Sequence, residues 1–206
     1  GSHSITAVYG GDANYTASTS AVLTQTVNLL SSTTAVVSSL NPSAFGSSVT
    51  FTATVTGVVI TPTGAVTFKD GATTLGSATL DGSGQASFST GTLTTGSHSI
   101  TAVYGGDFVY NTSTSAVLTQ TVNPTASTTV LTSSVNPSAP GQSVTFTATV
   151  SGPAGTATGT VTFKDGATTI GSASLAGGQA SFSTGALSVG SHSITAVYGG
   201  DANYTA

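Results

Sequence analysis

The chain has 206 residues, of which 4% are charged, and its formal net charge is −4 at pH 7. Lys69 and Lys164 are the only lysine or arginine residues, too few to neutralise a row of phosphates, so nucleic acid is excluded as a partner. The longest apolar runs, such as Gly57 to Ile60, fall far short of the ~20 residues that a membrane-spanning helix needs.

Serine and threonine make up about a third of the chain, and with glycine they supply the polarity that charges supply in ordinary domains. Such a surface is nearly indifferent to salt and pH and offers little charge repulsion against self-association. The composition therefore favours a polymer or a matrix component. There is no cysteine, so a disulfide-stapled scaffold is excluded.

The sequence is internally repetitive. The stretch from Gly1 to Ala17 returns letter for letter from Gly190 to Ala206, and its first twelve residues also occur from Gly96 to Asp107. The segments TFTATV and VTFKDGATT each occur twice at a matching distance, so one unit of about 95 residues covers the chain. A unit of this size is typical of a single β-sandwich domain that folds by itself.

The joints between units are marked by TVN and TVNP. We therefore expect the last two strands of a preceding repeat in residues 1–28, a complete repeat in 29–123, and a repeat lacking its last strand in 124–206. Two origins remain open: a section of a longer polypeptide, or a subunit completed by the strand around Ser18 to Val27 of another copy. Identical ends favour the section, because an exchanging subunit would not need to duplicate the sixth strand.

Strands are predicted where apolar and polar residues alternate. From Thr50 to Thr56, Phe51, Ala53 and Val55 fall on one face and threonines on the other, which indicates a half-buried strand. Similar runs are bounded by turn signals such as NPSAFG, KDG and DGSG. In chain order, the predicted strands are Thr33–Ser38, Thr50–Thr56, Ala65–Phe68, Ser77–Leu80, Gln85–Ser89, His98–Tyr104 and Ala116–Val122.

Seven strands per unit are typical of an immunoglobulin-like sandwich. The predicted fold class is therefore all-β, with tandem immunoglobulin-like seven-stranded β-sandwich domains. In the last strand Gln120 shares a face with Leu118 and Val122 unless a bulge intervenes, which leaves the register of that strand open.

The order of the motifs NPS, G.SVTFTATV, G.VTFKDG, LG.A.L.G.G.A.FST and GSHSITAVYGGD.NY resembles the bacterial immunoglobulin-like (Big-type) repeat domains. Those domains are strung in tandem through large secreted and cell-surface proteins, and the resemblance covers both main units and the partial one. It implies an extracellular or cell-surface location and a role as a spacer, stalk or adhesin segment. A fold alone does not carry an activity.

One histidine recurs at the start of the sixth strand, as His3, His98 and His192. It is expected to close the corner between strands five and six by bonding to the backbone. One aspartate recurs after a glycine pair, as Asp12, Asp107 and Asp201. It is expected to stabilise its turn by bonding its own backbone.

With one aspartate per loop, no glutamate and no GxSxG motif, we predict no metal site, no cofactor and no enzymatic activity. Lys69 and Lys164 raise the alternative of an internal Lys–Asn isopeptide crosslink. Val66 and Phe68 face inward by alternation, so Lys69 is expected to point to solvent beside Asp70 in a turn, which disfavours the crosslink.

The loop between strands six and seven carries the remaining candidates. In the complete repeat this loop is more apolar than in its other copies, because it contains Phe108, Val109 and Tyr110. It is therefore the predicted contact with a neighbouring domain or subunit. The acceptor pattern for N-glycosylation also occurs there in all three copies, at Asn14, Asn111 and Asn203.

The sequence therefore predicts a structural protein, a stalk, fibre or extracellular filament in which copies of the repeat are joined head to tail. One alternative is an adhesin segment that binds a glycan or a host protein through the loops between strands six and seven. A second alternative is a spacer attached to a secreted enzyme.

Overall fold

The computed structural model describes all residues from Gly1 to Ala206, and its regular secondary structure consists of β-strands alone. No helix is long and apolar enough to cross a membrane. Residues 1–28, the N-terminal segment, form two small antiparallel sheets: β1 (Ser2–Ile5) with β4 (Leu23–Thr26), and β2 (Val8–Tyr9) with β3 (Ser18–Thr19). All four strands are exposed, because no facing sheet packs against either of the two sheets.

Residues 29–123, the first repeat, fold into two facing sheets. Their strands are β5 (Thr33–Ser38), β6 (Ser43–Ala44), β7 (Val49–Thr56), β8 (Ala65–Asp70), β9 (Thr73–Thr79), β10 (Gln85–Thr90), β11 (Gly96–Tyr104), β12 (Ser113–Thr114) and β13 (Leu118–Asn123). One sheet has the order β10-β7-β5, and the other has the order β6-β13-β11-β8-β9 with β12 also paired to β11. The seven predicted strands are all present. The two-residue strands β6 and β12 are additional.

Alternation on β7 produces the core of the first repeat. The inward residues of this strand are buried: Val49, Phe51, Ala53 and Val55. On the outer face, the hydroxyl of Thr50 bonds to that of Ser89 at 2.7 Å and the hydroxyl of Thr52 to that of Ser87 at 3.1 Å. The buried side chains supply the hydrophobic free energy, about 1.5–3 kcal/mol for each large one. On the outer face, cross-strand hydrogen bonds between hydroxyl groups stabilise the sheet where other proteins use charged pairs.

Residues 124–206, the second repeat, have the same architecture. Their strands are β14 (Thr128–Ser133), β15 (Val144–Ser151), β16 (Thr160–Asp165), β17 (Thr168–Ser174), β18 (Gln179–Thr184) and β19 (Ile194–Tyr198). The sheet orders are β14-β15-β18 and β17-β16-β19. The sequence GSHSI is strand in β11 but not at Gly190 to Ser193, because within residues 124–206 no strand corresponds to β13 and pairs with it.

The predicted turn at Lys69 and Asp70 is wrong. Both residues continue β8, and a bulge between Phe68 and Lys69 shifts the pairing with β9. The bulge lets the strand run two residues further than alternation indicates. It also directs the Asp70 carboxylate toward β11, where the side chain of His98 lies.

The register of β13 is regular, without a bulge, and it buries Gln120 completely. The side-chain amide of Gln120 accepts a hydrogen bond from the Ser38 hydroxyl at 2.7 Å and donates to the Leu40 carbonyl at 2.9 Å. Asn41 donates to the Thr119 carbonyl at 2.7 Å and accepts from the Thr121 N–H at 3.0 Å. A buried amide is tolerated in the core because its polar atoms are satisfied.

Each repeat has two ends, which we name by their loops. The head of the first repeat is formed by the loops 57–60 and 107–111, and the tail is formed by the turn 41–46 and residues 94–96. Tyr110 closes the head: its hydroxyl accepts from the N–H groups of Val59 and Ile60 at 2.9 and 3.0 Å and donates to the Ile60 carbonyl at 2.8 Å. Its ring covers Gly57, where a Cβ atom would overlap the ring.

Two buried tyrosines provide a matched pair for testing this closure. The Tyr104 hydroxyl is buried without a hydrogen-bond partner, whereas the Tyr110 hydroxyl has three. We expect Tyr110→Phe to lower the free energy of unfolding by about 1–3 kcal/mol, and Tyr104→Phe to leave it unchanged or raise it slightly. Denaturant unfolding of the two variants measures this difference. Equal losses would show that the hydroxyl bonds at the head contribute nothing.

Candidate functional site

A histidine–aspartate pair fixes the corner between β10 and β11. The His98 ring places Nδ1 2.6 Å from the Asp70 carboxylate and Nε2 2.8 Å from the Thr94 carbonyl. Asp70 also accepts from the Ser99 N–H at 3.0 Å. His98 therefore bonds to the backbone as expected, and Asp70 is a partner that the sequence interpretation missed.

The second repeat contains the same pair. His192 lies 2.5 Å from the Asp165 carboxylate and 2.9 Å from the Ser188 carbonyl. In both repeats the two ring nitrogens face acceptors, an arrangement that suits the doubly protonated ring. The signal that could have identified the acid was the recurrence of KDG together with the histidine in both units.

These contacts raise the pKa of both histidines. Partial burial of His98 lowers its pKa, but the hydrogen bonds to Asp70 and Thr94 outweigh that effect and the net shift is upward. The pKa of His192 is raised by the Ser188 carbonyl and the Asp165 carboxylate. His3, the third copy, lies in the exposed strand β1.

The aspartate of the Tyr-Gly-Gly-Asp loop organises the head of each repeat. One Asp107 oxygen accepts from the N–H groups of Val109 and Tyr110, each at 2.7 Å, and the other accepts from the Thr63 N–H at 2.9 Å. Asp201 repeats these contacts, with the Asn203 and Tyr204 N–H groups on one oxygen and Thr158 on the other. The carboxylate thus caps its own turn and ties it to the neighbouring loop.

The bonds to backbone N–H groups stabilise the ionised carboxylates. Partial burial raises the pKa of Asp201, but the hydrogen bonds from Thr158, Asn203 and Tyr204 lower it to about 2. The same balance holds the pKa of Asp107 well below its ordinary value. The chain has no group of three or more histidine, cysteine, aspartate or glutamate side chains placed to hold a metal ion.

The predicted contact loop divides into three different environments. Phe108 is 78% exposed, Val109 packs half-buried against the core, and Tyr110 is fully buried. The prediction of a contact surface is wrong for Tyr110, because its ring is buried over Gly57. Phe108 is the residue of the three that is free to meet a partner.

The three asparagines of the glycosylation pattern also differ in environment. Asn14 is exposed in the N-terminal segment. The Asn111 amide donates to the carbonyls of Leu29 and Leu30 at 3.3 and 3.4 Å, and Asn203 accepts from the Thr95 hydroxyl at 3.3 Å. Asn14 is thus the position at which a sugar would displace the fewest protein contacts.

The two repeats meet at a junction between the tail of the first and the head of the second. The Phe45 ring contacts the Tyr204 ring edge-on, with centroids 5.8 Å apart and planes at 90°. Gly46 lies against Ala154 so closely that a Cβ atom at position 46 would overlap the alanine side chain. Sequence reasoning missed Phe45, because the motif NPSAFG by itself indicates only a turn.

The linker between the repeats is held on both sides. The Phe45 N–H donates to the Asn123 carbonyl at 2.8 Å, at the end of β13. Two residues later, Thr125 donates to the Asn203 carbonyl and accepts from the Thr205 N–H, each at 2.9 Å. Pro124 alone separates these anchored residues, and its fixed φ restricts the linker further.

Two facing sheets joined in this order define an immunoglobulin-like sandwich. The sequence model of the family described as "Bacterial Ig-like domain (group 3)" matches residues 36–123 and 131–206. The chain therefore belongs to the bacterial immunoglobulin-like domain family. This membership and the all-β fold confirm the family and fold class predicted from the motifs.

Among solved structures, the chain is similar to the fibronectin(III)-like modules of Clostridium thermocellum CbhA. The identity is 24%, the match covers 83% of this chain and 87% of that chain, and the TM-score is 0.35. Among curated proteins, the comparison found no significant relative.

The histidine and aspartate contacts predict how stability changes with pH. A raised histidine pKa gives stabilisation that is complete below the ordinary value of 6.5 and is lost as the pH rises through the raised value. A lowered aspartate pKa gives stabilisation that is complete above the ordinary 3.8 and is lost as the pH falls toward 2. Denaturant unfolding should therefore be hardest between about pH 4 and 6.5.

The matched control is the double variant His98→Gln with His192→Gln. It should lose the decline in unfolding free energy above pH 6.5 and retain the decline at acidic pH. An unchanged alkaline decline in this variant would contradict the role of the two histidine–aspartate pairs.

The Phe45–Tyr204 contact predicts that the junction restrains the repeats relative to each other. We expect Phe45→Ala to remove about 0.5–1.5 kcal/mol of ring–ring interaction and to let the two repeats reorient independently. Residual dipolar couplings measured for each repeat would report this change. Pro140→Ala, at the equivalent turn position on the free tail of the second repeat, is the control and should change nothing. If both variants keep one alignment tensor, Phe45 does not restrain the junction.

Proposed function

We propose that this chain is a structural spacer, a section of a stalk, fibre or filament outside the cell whose repeats transmit force from end to end. Membership of the bacterial immunoglobulin-like domain family supports a structural or spacer role. The observation that carries the proposal is a set of hydrogen bonds that clamps β13, the last strand of the first repeat, to residues 38–45 of the same repeat. This clamp lies at the end of the repeat that joins the next one.

The clamp lies between β13 and residues 38–45. β13 pairs in parallel with β6, with Val122 opposite Ser43 and Asn123 opposite Ala44. A pull on the two ends of the repeat moves these parallel segments in opposite directions. All the hydrogen bonds between them are then loaded together, so they resist as a group and do not open one after another.

The side chains of Asn41 and Gln120 reinforce the clamp. Asn41 bridges to the backbone of β13 at Thr119 and Thr121, and Gln120 reaches back to Ser38 and Leu40. Gln120 also donates to the Ser43 hydroxyl at 3.2 Å. Five side-chain hydrogen bonds therefore add to the two-residue strand pair. The linker continues directly from this clamp into the head of the second repeat.

The surface chemistry also suits a role outside the cell. Hydroxyl pairs such as Thr50–Ser89 and Thr145–Ser183 cover the outer faces, and only 4% of the residues are charged. Interactions of this kind change little with ionic strength, in contrast to surface ion pairs. A spacer built in this way keeps its geometry in media of varying salt content.

The adhesin alternative is less well supported. A glycan-binding face needs exposed aromatic side chains placed for stacking, and of the two aromatic residues in the loop 107–111 Tyr110 is buried. Phe108 is the remaining exposed ring. An attached enzyme is compatible with a spacer role but finds no specific support among the residues of this chain.

Single-molecule stretching of the full chain tests the proposal. The first repeat should unfold in one step that releases about 300 Å of chain, since about 95 residues extend by about 3.4 Å each. Asn41→Ala should remove about 1–3 kcal/mol from the clamp and shorten the lifetime of the repeat at constant force by about tenfold or more.

Asn136→Ala is the matched control, because Asn136 occupies the same position in the second repeat and no strand equivalent to β13 lies beside it. The control should leave all lifetimes unchanged. Equal lifetimes for the two variants, or gradual opening of the first repeat at low force, would contradict a force-bearing role.

A further inference from the structure

The head of the first repeat carries a group of exposed apolar side chains, which we call the head patch. Val58 is 83% exposed, Val59 69%, Ile60 44% and Phe108 78%. Tyr110 connects the two loops, since it binds the backbone of Val59 and Ile60 and follows Phe108 by two residues. Single exposed apolar residues are normal on protein surfaces, but a contiguous group marks an interaction site.

The head of the second repeat shows which residues stand at the positions of the head patch when the tail of another repeat lies against them. Its Pro153, Ala154 and Gly155 correspond in the repeat to Val58, Val59 and Ile60, and its Asn203 corresponds to Val109. Ala154, Gly155 and Asn203 contact the tail of the first repeat at the junction. The head patch is therefore the equivalent of a surface that already seats the tail of a neighbouring repeat.

The residues at the two uncovered ends differ from those at the junction in a compensating way. At the junction, the large Phe45 of the tail meets the small Ala154 and Gly155 of the head. At the uncovered ends, the tail has the smaller Pro140, and the head has the larger Val59 and Ile60. A large tail residue thus meets small head residues at the junction, and a smaller tail residue is matched to larger head residues at the uncovered ends, the complementarity that close packing favours.

The polarity changes in the same compensating way. At the junction, the Thr95 hydroxyl of the tail donates to the Asn203 side chain of the head. At the uncovered ends, the tail has Val189 at the position of Thr95, and the head has Val109 at the position of Asn203. A polar pair is replaced by an apolar pair, and Val189 is 87% exposed in the chain.

We propose that the head patch is the docking surface for the tail of another repeat of the second kind, one that presents Pro140 and Val189. Repeats of two kinds then alternate, and two types of junction alternate with them. The longer identity supports this order: Gly1–Ala17 matches Gly190–Ala206 throughout, whereas the copy from Gly96 diverges at Phe108. The segment that precedes the first repeat thus has the sequence of a second-kind repeat.

This inference rests on the proposed function, because alternating junctions have a purpose only in a tandem array. It adds a rule for which tail fits which head. A Phe45 tail against Val59 and Ile60 would be overpacked, and a Pro140 tail against Ala154 and Gly155 would leave a gap, and both errors weaken packed interfaces.

The rule can be tested with two lengthened chains. In the first, residues 124–189 are placed before Gly1, which completes the N-terminal segment as a second-kind repeat with Pro140 and Val189 in its tail. In the second, the matched control, residues 29–95 are placed before Gly1 and provide a tail with Phe45 and Thr95. Both chains keep the 206 residues intact.

The readout is the broadening of the methyl signals of Val59 and Ile60, whose counterparts Ala154 and Gly155 contact the tail at the junction, by a soluble paramagnetic probe. In the 206-residue chain and in the control the methyl groups should be strongly broadened. In the first lengthened chain the broadening should fall by about threefold or more, because a packed interface excludes the probe. Equal broadening in the two lengthened chains would overturn the proposal.

A second measurement uses the existing junction and needs no added repeat. Thr95→Val and Asn203→Val should each loosen the alignment of the two repeats, because each leaves one polar group facing a methyl surface. The two changes together should restore it, which is the coupling expected of a matched pair. A double variant as loose as the sum of the single variants would overturn the rule.

The outcome for the proposed function is separate. Small-angle scattering of both lengthened chains should show an elongated particle if the repeats form a stalk. An elongated particle with an exposed head patch overturns the docking rule alone, whereas a compact particle contradicts the stalk itself.

Discussion

The burial of one tyrosine at the head of each repeat is the interaction on which the rest of the structure depends. Tyr110 can lie over Gly57 only because that position lacks a side chain, and Asp107 holds its backbone in place through two N–H groups. Once seated, its hydroxyl fixes the loop at Val59 and Ile60. In the second repeat, the ring of the equivalent Tyr204 also contacts the Phe45 ring edge-on. The residue that closes the head of one sandwich is therefore part of the junction with the preceding repeat.

The few ionisable groups of this chain are used mainly inside single repeats. Asp107 and Asp201 each accept hydrogen bonds from neighbouring N–H groups, and Asp70 and Asp165 each bind a histidine. Specificity between repeats therefore depends on shape and on small polar or apolar exchanges, such as Thr95 against Val189. Contacts of this kind are short-ranged, so they determine the angle between touching repeats and exert no attraction at a distance.

Alternation in the sequence predicted the strands well, because a half-buried strand shows its two faces within a few residues. It could not predict the environments that depend on distant partners. Alternation places Tyr110 on the surface because the glycine that accommodates its ring lies more than fifty positions earlier. The register of β13 stayed open because the partners of Gln120, Ser38 and Leu40, are even more remote in sequence. Phe45 was hidden for the same reason: its contacts belong to the next repeat.

The sequence GSHSI shows that the sixth strand of a repeat depends on the seventh strand of the same repeat. It is strand in β1 and β11, where LTQT lies opposite it, and irregular at Gly190 to Ser193, where no partner lies opposite. Strand formation at this edge therefore requires the seventh strand. In the first repeat that strand ends at Asn123, and Thr125 is already bonded to the head of the next repeat. Because the same few residues complete one sandwich and attach the next, loosening either structure weakens the other, and bending at a junction is resisted by the fold of the repeat before it.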